Sequence, residues 1–392
     1  MNKTAVHFGA GSIGRGFIGQ LYHQSGYHTV FVDVASDVVD AVNTRGAYPI
    51  DIVSEEGAAR VEVHQVSAIN GRDQAAAAMA LSQASIASTA VGLNALPHIA
   101  PLIALGIERR FSDENASPLD IILCENVKDG SRYMRRLVRE HLAEQYHNSL
   151  DEHVGFVEAS IGRMVPVMTA EQQAKDPLLV CVEPYCELPV DAAGFKGAIP
   201  AITHLKPTDN FVAYVERKLF VHNLTHATAA YLGYRRGYAF IYEAIRDDAV
   251  RAAVEGAGRE SCAALTKKRG LDADELAAHL EDLVARYHNT ALADQIARVA
   301  RDPVRKLGPD DRLVGAARLC VEQDVAMEHI ATATAAAILY DAPDDPSAGR
   351  VRDMAQRHGV EAVLREICKL DSETMPGTLI CNAYHELQNN KG

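Results

Sequence analysis

Gly9-Ala10-Gly11-Ser12-Ile13-Gly14 stands between a β-prone run at residues 4–8 (Thr-Ala-Val-His-Phe) and a stretch of helical composition over residues 13–25 that Gly26 stops. The spacing is GxGxxG, and its place between a strand and a helix gives each glycine a physical task. Gly9 makes the tight turn, Gly11 lets backbone approach a pyrophosphate, and Gly14 lets helix and strand pack closely. The N–H groups that open the helix, at Ser12 and Ile13, then face the phosphates of a dinucleotide. Asp33 closes a second expected strand over residues 29–34, at the offset where an acidic side chain accepts hydrogen bonds from the adenosine ribose. A carboxylate there repels a 2′-phosphate, so NAD is the expected cofactor rather than NADP.

Further β-like pieces lie at residues 60–66, 85–91 and 121–124, separated by alanine-rich helical stretches, as expected of a parallel sheet with crossovers. After the piece at 85–91, Thr89, Ala90 and Val91 have two open readings: they line the nicotinamide half of a cleft, or they form an ordinary strand-end turn. From residue 209 the pattern changes to long segments of helical periodicity at 209–231, 238–265, 272–287, 312–340 and 350–370. The expected organisation is an α/β Rossmann-like domain over residues 1–200 and a mainly α-helical substrate domain over 201–392, with 189–207 as the connection.

With 48% hydrophobic residues in 392, the chain has material for two cores. A net charge of −13 argues against nucleic-acid or anionic-membrane partners, which need clustered Lys and Arg. Seven scattered cysteines with no CxxC argue against disulfide frameworks and cysteine zinc sites. The start of the chain lacks the apolar stretch of a signal peptide, and no run reaches about 18 apolar residues, so a cytoplasmic protein is expected. Sixteen histidines show no compact ligand motif; His222 and His226, four apart, lack a third neighbour, so no metal is expected.

The segment Glu216-Arg217-Lys218-Leu219-Phe220-Val221-His222-Asn223-Leu224-Thr225-His226 sets Lys218, Asn223 and His226 at relative positions 0, +5 and +8. On an α-helix they point at about 0°, 140° and 80°, within one broad sector. Oxidising a secondary alcohol needs a base with a pKa near the working pH, and a lysine lowered by burial and neighbouring positive charge meets that need. A neutral amide such as that of Asn223 stabilises the oxygen as charge builds on it. The same spacing also describes a partly solvated helix face.

The K-x4-N-x2-H signature, residues 8–19 (FGAGSIGRGFIG) and residues 301–313 (RDPVRKLGPDDRL) together resemble the polyol-specific long-chain dehydrogenases, from the N-terminus to at least residue 313. The resemblance implies metal-free hydride transfer, with Lys218 as general acid–base and Asn223 and His226 assisting at the reacting oxygen. Cys124-Glu125-Asn126 matches a further family element, which implies that Asn126 is a second oxyanion donor. It also implies a sugar-phosphate substrate, D-mannitol 1-phosphate interconverted with D-fructose 6-phosphate. Sister activities on unphosphorylated polyols or hexuronates are the rivals, with a catalytically idle NAD-binding protein behind them. One departure is Gly162 in Gly162-Arg163-Met164-Val165-Pro166, where the family commonly has Asp. Arg301, Arg305 and Lys306 are candidates for the substrate phosphate, against ion pairing with Asp302, Asp310 and Asp311; Arg15 is a further candidate for a cofactor or substrate contact.

Overall fold

The computed structural model describes residues 3–112, 117–127, 129–166, 168 and 170–390. Two compact units divide the chain, Met1–Phe211 and Val212–Gly392.

The described residues of the first unit form the strands β1 (Lys3–Phe8), β2 (Tyr27–Asp33), β3 (Ala47–Ser54), β4 (Gly57–His64), β5 (Val66–Asn70), β6 (Ile86–Thr89), β7 (Leu119–Leu123), β8 (Val154–Glu158), β9 (Val180–Val182), β10 (Leu188–Asp191) and β11 (Leu205–Thr208). Six form a sheet in the order β5-β2-β1-β6-β7-β8, and every neighbouring pair in it is parallel. The order reverses beside β1, which is the arrangement of a doubly wound dinucleotide fold. Sheets covered on both faces need strands buried throughout, and all residues of β6 (IAST) and β7 (LDIIL) are buried. One face packs Val6, Leu81, Ile103 and Ile121 together; the other packs Phe17, Leu21, Ile122 and Val157.

The piece expected at 60–66 is two strands, not one. Gln65 takes a left-handed backbone, φ 58°, and divides β4, which pairs antiparallel with β3 in a three-stranded sheet with β9, from β5 in the main sheet. The stretch 189–207 is also more than a connection. It carries most of the parallel pair β10–β11, and residues 201–211 therefore lie with the first unit. Asp120 of β7 clasps this region, its two carboxylate oxygens accepting the Lys196 and Gly197 N–H groups at 2.7 and 3.1 Å.

The described residues of the second unit form helices and no strand; one isolated bridge joins Phe240 and Gln295. Several expected segments are broken by their own sequence. Asp247 caps the start of helix Asp248–Arg269 by accepting the Ala249 and Val250 N–H groups, which separates that helix from Ile241–Ala244. Asp324, at φ 49°, separates helices Val314–Glu322 and Glu328–Ile338. The segment around residue 218 is interrupted without a break, as described below. All seven cysteines are free thiols; six are buried and Cys381 is partly so. Among the described residues no helix is long and apolar enough to cross a membrane.

Candidate functional site

The glycine turn does mechanically what its spacing demands. Gly9 follows β1 at φ +100°, a conformation that glycine adopts at no steric cost, and a Cβ there would stand 2.6 Å from the Ala90 carbonyl oxygen. Its N–H donates to the Val32 carbonyl at 2.9 Å. A Cβ on Gly14 would overlap the Gly9 carbonyl oxygen and lie 2.7 Å from His7 Nε2. Gly11 differs: nothing lies within 4 Å of where its Cβ would be, and Gly11 and Ser12 are exposed where the helix begins. The turn thus presents open backbone where a pyrophosphate needs it, and the residues fit the cofactor their spacing implies.

Asp33, at the end of β2, is tied to this turn. Its Oδ2 accepts the Ala10 N–H at 2.6 Å and its Oδ1 accepts the Ala35 N–H at 2.9 Å. Each carboxylate oxygen has a second lone pair, so capacity for ribose hydroxyls remains. Arg15 is already engaged, donating to the Ala10 and Leu178 carbonyls at 2.7 and 2.6 Å. Its guanidinium braces the turn against the 177–178 segment. Below the turn, His7 is wholly buried with Nδ1 2.6 Å from Ser88 Oγ; burial pulls its pKa down to about 3, so the ring is neutral.

At the end of β6, Thr89 is buried and its hydroxyl donates to Glu125 Oε2 at 2.6 Å. Its side chain is therefore withdrawn from the surface that the cofactor reading gave it. Ala90 and Val91 are partly buried, and the Val91 N–H donates to Glu125 Oε1 at 2.9 Å. Glu125 itself is buried, and burial raises its pKa against the pull of these hydrogen bonds. This one carboxylate locks the ends of β6 and β7 together. Asn126, the next residue, is exposed. Gly162 lies against Tyr185, whose Cε1 would be 3.3 Å from a Cβ at that position. The neighbouring Arg163 is buried and donates to the Gly16 carbonyl and Gln20 Oε1 at 3.0 and 2.7 Å, pinning the first helix.

In the second unit, helix Phe211–Arg217 runs into a π-turn, Lys218–His222, and then into helix Asn223–Arg235. The Asn223 N–H donates to the Lys218 carbonyl, five residues back, so the uniform α-helical wheel fails here. The wider turn draws Asn223 round toward Lys218, and such turns recur at functional sites. Lys218 and Asn223 are partly buried. Burial first, and then Arg312, pull the Lys218 ammonium from 10.5 down to about 8.

His226 is held on two sides. Its Nε2 lies 2.8 Å from Asp294 Oδ2, and its ring stacks on Tyr287 with centroids 5.2 Å apart. Burial pushes the Asp294 carboxyl up, but His226 and Arg298 outweigh it and hold it below its ordinary value. With Nε2 donating to that carboxylate, Nδ1 is the ring nitrogen left for a ligand. The Tyr287 hydroxyl lies 2.9 Å from Thr225 Oγ1 and donates to the His222 carbonyl at 3.1 Å, which fastens the stack to the π-turn. Asp294 and Tyr287 were not singled out by sequence reasoning; they lie 68 and 61 positions from His226, and only the fold brings them there.

The basic run after residue 300 is largely neutralised. Arg305 pairs with Asp302 and Asp311 at 3.1 and 3.2 Å, and Arg312 pairs with Asp311 at 2.7 Å. Lys306 is buried with its ammonium on the Arg301 carbonyl. Burial, then Arg312 and Arg305, lower it to about 7. Arg301 is exposed. A dianion at Arg305 or Arg312 would have to displace Asp302 or Asp311 first.

Set beside known proteins, the chain matches the mannitol dehydrogenase Rossmann domain over residues 3–204 and the mannitol dehydrogenase C-terminal domain over residues 210–390. It is 43% identical to a mannitol-1-phosphate 5-dehydrogenase of Brevibacillus brevis, over 92% of this chain and 92% of that protein. It is 40% identical to a mannitol-1-phosphate 5-dehydrogenase of Bacillus subtilis, over 94% of this chain and 96% of that one. The fold is shared with Pseudomonas fluorescens mannitol 2-dehydrogenase, solved as a ternary complex with NAD and D-mannitol, at a TM-score of 0.75 and 18% identity over 100% of this chain and 93% of that one.

Proposed function

The chain belongs to the mannitol dehydrogenase family, and from that premise we propose that it interconverts D-mannitol 1-phosphate and D-fructose 6-phosphate with NAD, using Lys218 as acid–base. The class, an oxidoreductase with a nicotinamide dinucleotide, comes with the family. The substrate rests on near-full-length likeness to relatives named for that reaction, and this observation carries the proposal. NAD is favoured by Asp33, whose carboxylate stands beside the turn and repels a 2′-phosphate.

When bound, the dinucleotide takes up or returns the hydride at the substrate carbon. The backbone of Gly9, Gly11, Ser12, Ile13 and Gly14 holds its phosphates, Asp33 its ribose, and Ala90 and Val91 border the strand ends. In the oxidising direction neutral Lys218 Nζ takes the hydroxyl proton as the carbon–oxygen double bond forms; in reduction the ammonium gives it back. A pKa of about 8 suits both directions near neutrality. The Asn223 and Asn126 amides donate to the oxygen while it carries excess charge. His226, its ring fixed by Asp294 and Tyr287, offers Nδ1 to orient the hydroxyl.

The test is consumption of NADH with fructose 6-phosphate, run beside NADPH, free fructose and a hexuronate, with and without a chelator. Turnover on fructose 6-phosphate with NADH, unaffected by chelator, is expected. Oxidation of mannitol 1-phosphate should fall tenfold per pH unit below about 8, as the base becomes protonated. Turnover confined to the unphosphorylated polyol or the hexuronate overturns the substrate. Near-normal turnover of Lys218→Ala removes the lysine from the chemistry.

A further inference from the structure

The phosphate of a sugar phosphate oxidised at C5 lies at the far end of its carbon chain from the reacting carbon, so it needs cations separate from Lys218. In the run after residue 300 Arg305 and Arg312 are already paired with Asp302 and Asp311, and Lys306 is buried on the Arg301 carbonyl. In the first unit a cavity of about 630 Å³ opens between the segment after β6 and the segment after β7, lined among others by Asn94, Pro97, Val127, Arg132, Tyr133 and Arg136. We propose that this cavity takes the phosphate of the substrate, with Arg132 as its principal cation and Arg136 and Asn94 beside it. The assignment rests on the sugar-phosphate reading above.

Its position is the first support. Open α/β sheets take ligands outside the carboxyl ends of their strands, and β6 and β7 are adjacent there. Val127 on the cavity wall directly follows Asn126, so the wall is continuous in the chain with the second amide assigned to the reacting oxygen. The volume lies within the range of small-molecule sites.

Chemistry is the second. Arg132 and Arg136 stand one turn apart on helix Gly130–His141 and both are exposed. Among the described residues Arg132 has no carboxylate within ion-pair distance. Arg136 lies over the Tyr133 ring at 5.4 Å and, among the described residues, has Glu140 at 3.9 Å as its acidic partner. Guanidinium forks match phosphate oxygens in pairs, and Asn94 adds an amide donor. Asp129, also on the wall, opposes a dianion; the described lining residues carry two arginines and one aspartate. In a chain of net charge −13, a local positive lining raises the rate at which an anionic substrate arrives.

The experiment is steady-state reduction of fructose 6-phosphate and of free fructose by wild type, Arg132→Ala, Arg132→Lys and Arg136→Ala, with inorganic phosphate as inhibitor. For Arg132→Ala the KM for fructose 6-phosphate should rise about 10- to 100-fold, while kcat, the KM for NADH and the slow rate on free fructose stay within about twofold. Arg132→Lys should recover part of the loss. Inorganic phosphate should compete with fructose 6-phosphate in the wild type and lose potency in Arg132→Ala. An unchanged KM in Arg132→Ala, or an equal loss on free fructose, overturns the pocket while leaving the sugar-phosphate reading standing. A wild type inactive on fructose 6-phosphate sinks that reading, and the pocket with it.

Discussion

Replacing Lys218 with methionine should abolish turnover and also make the second unit more stable below about pH 8. The unfolded chain binds the lysine proton with the ordinary pKa of 10.5, and the folded site with about 8. At about 1.4 kcal/mol per pH unit, keeping the ammonium charged in its site costs about 3 kcal/mol. The folded pKa is depressed, so below about 8 both states carry the proton and the cost is complete. Between 8 and 10.5 only the unfolded state carries it, so wild-type stability rises with pH; above 10.5 the cost is gone. Methionine fills similar space without a charge. For a unit of this size about 3 kcal/mol corresponds to roughly 6–12 °C in Tm. Calorimetry of wild type and variant at pH 7 and pH 10 reads the difference, which should shrink to under about 1 kcal/mol at pH 10. A variant no more stable than wild type at pH 7, or a gain that does not change with pH, would refute the reasoning.

Asp294→Asn takes the charge from His226 and Arg298; kcat should fall about tenfold or more while NADH affinity, read by fluorescence titration, holds. Unchanged kcat would mean that His226 needs no fixing. Glu125→Gln leaves one oxygen for two donors, the Thr89 hydroxyl and the Val91 N–H. Denaturant melts should show a loss of about 1–3 kcal/mol and kinetics a raised KM for the dinucleotide; the carboxylate pins nothing if both hold. Gly14→Ala drives a Cβ into the Gly9 carbonyl and to within 2.7 Å of His7 Nε2, so NADH binding should be lost, and retention of wild-type affinity would count against the turn as the phosphate cradle.

What the sequence disclosed depends on how local each cause is. The glycine turn was legible because its spacing is a backbone constraint satisfied within six residues, and Asp33 because β1 and β2 are parallel neighbours in register. Lys218, Asn223 and His226 were legible as a group but not in geometry. A π-turn adds one residue to a helical turn without altering composition, so the wheel placed Asn223 about 140° from Lys218, while the real hydrogen bond joins the two residues directly. Asp294, which fixes His226, is invisible from the sequence because no local pattern links positions 68 apart. For Thr89 two readings stayed open, because a strand end looks alike whether its hydroxyl faces a ligand or, as here, a buried glutamate. The basic run after 300 carried its own answer in Asp302 and Asp311, yet a string of charges does not say which of them meet. The β3–β4 hairpin was missed because residues 47–54 were not read as a strand, and the one piece read at 60–66 ran across Gln65, where the backbone turns.

Six of the seven thiols are shielded, and burial holds those of Cys262, Cys320 and Cys368 up at about 12. Reagents that attack thiolates therefore find little to alkylate while the chain stays folded. Cys124, Cys181 and Cys186 report on the first unit, and Cys262, Cys320 and Cys368 on the second. The order in which these sulfurs become labelled under rising denaturant turns the native sequence into a two-channel recorder of which half opens first, with no probe engineered into it.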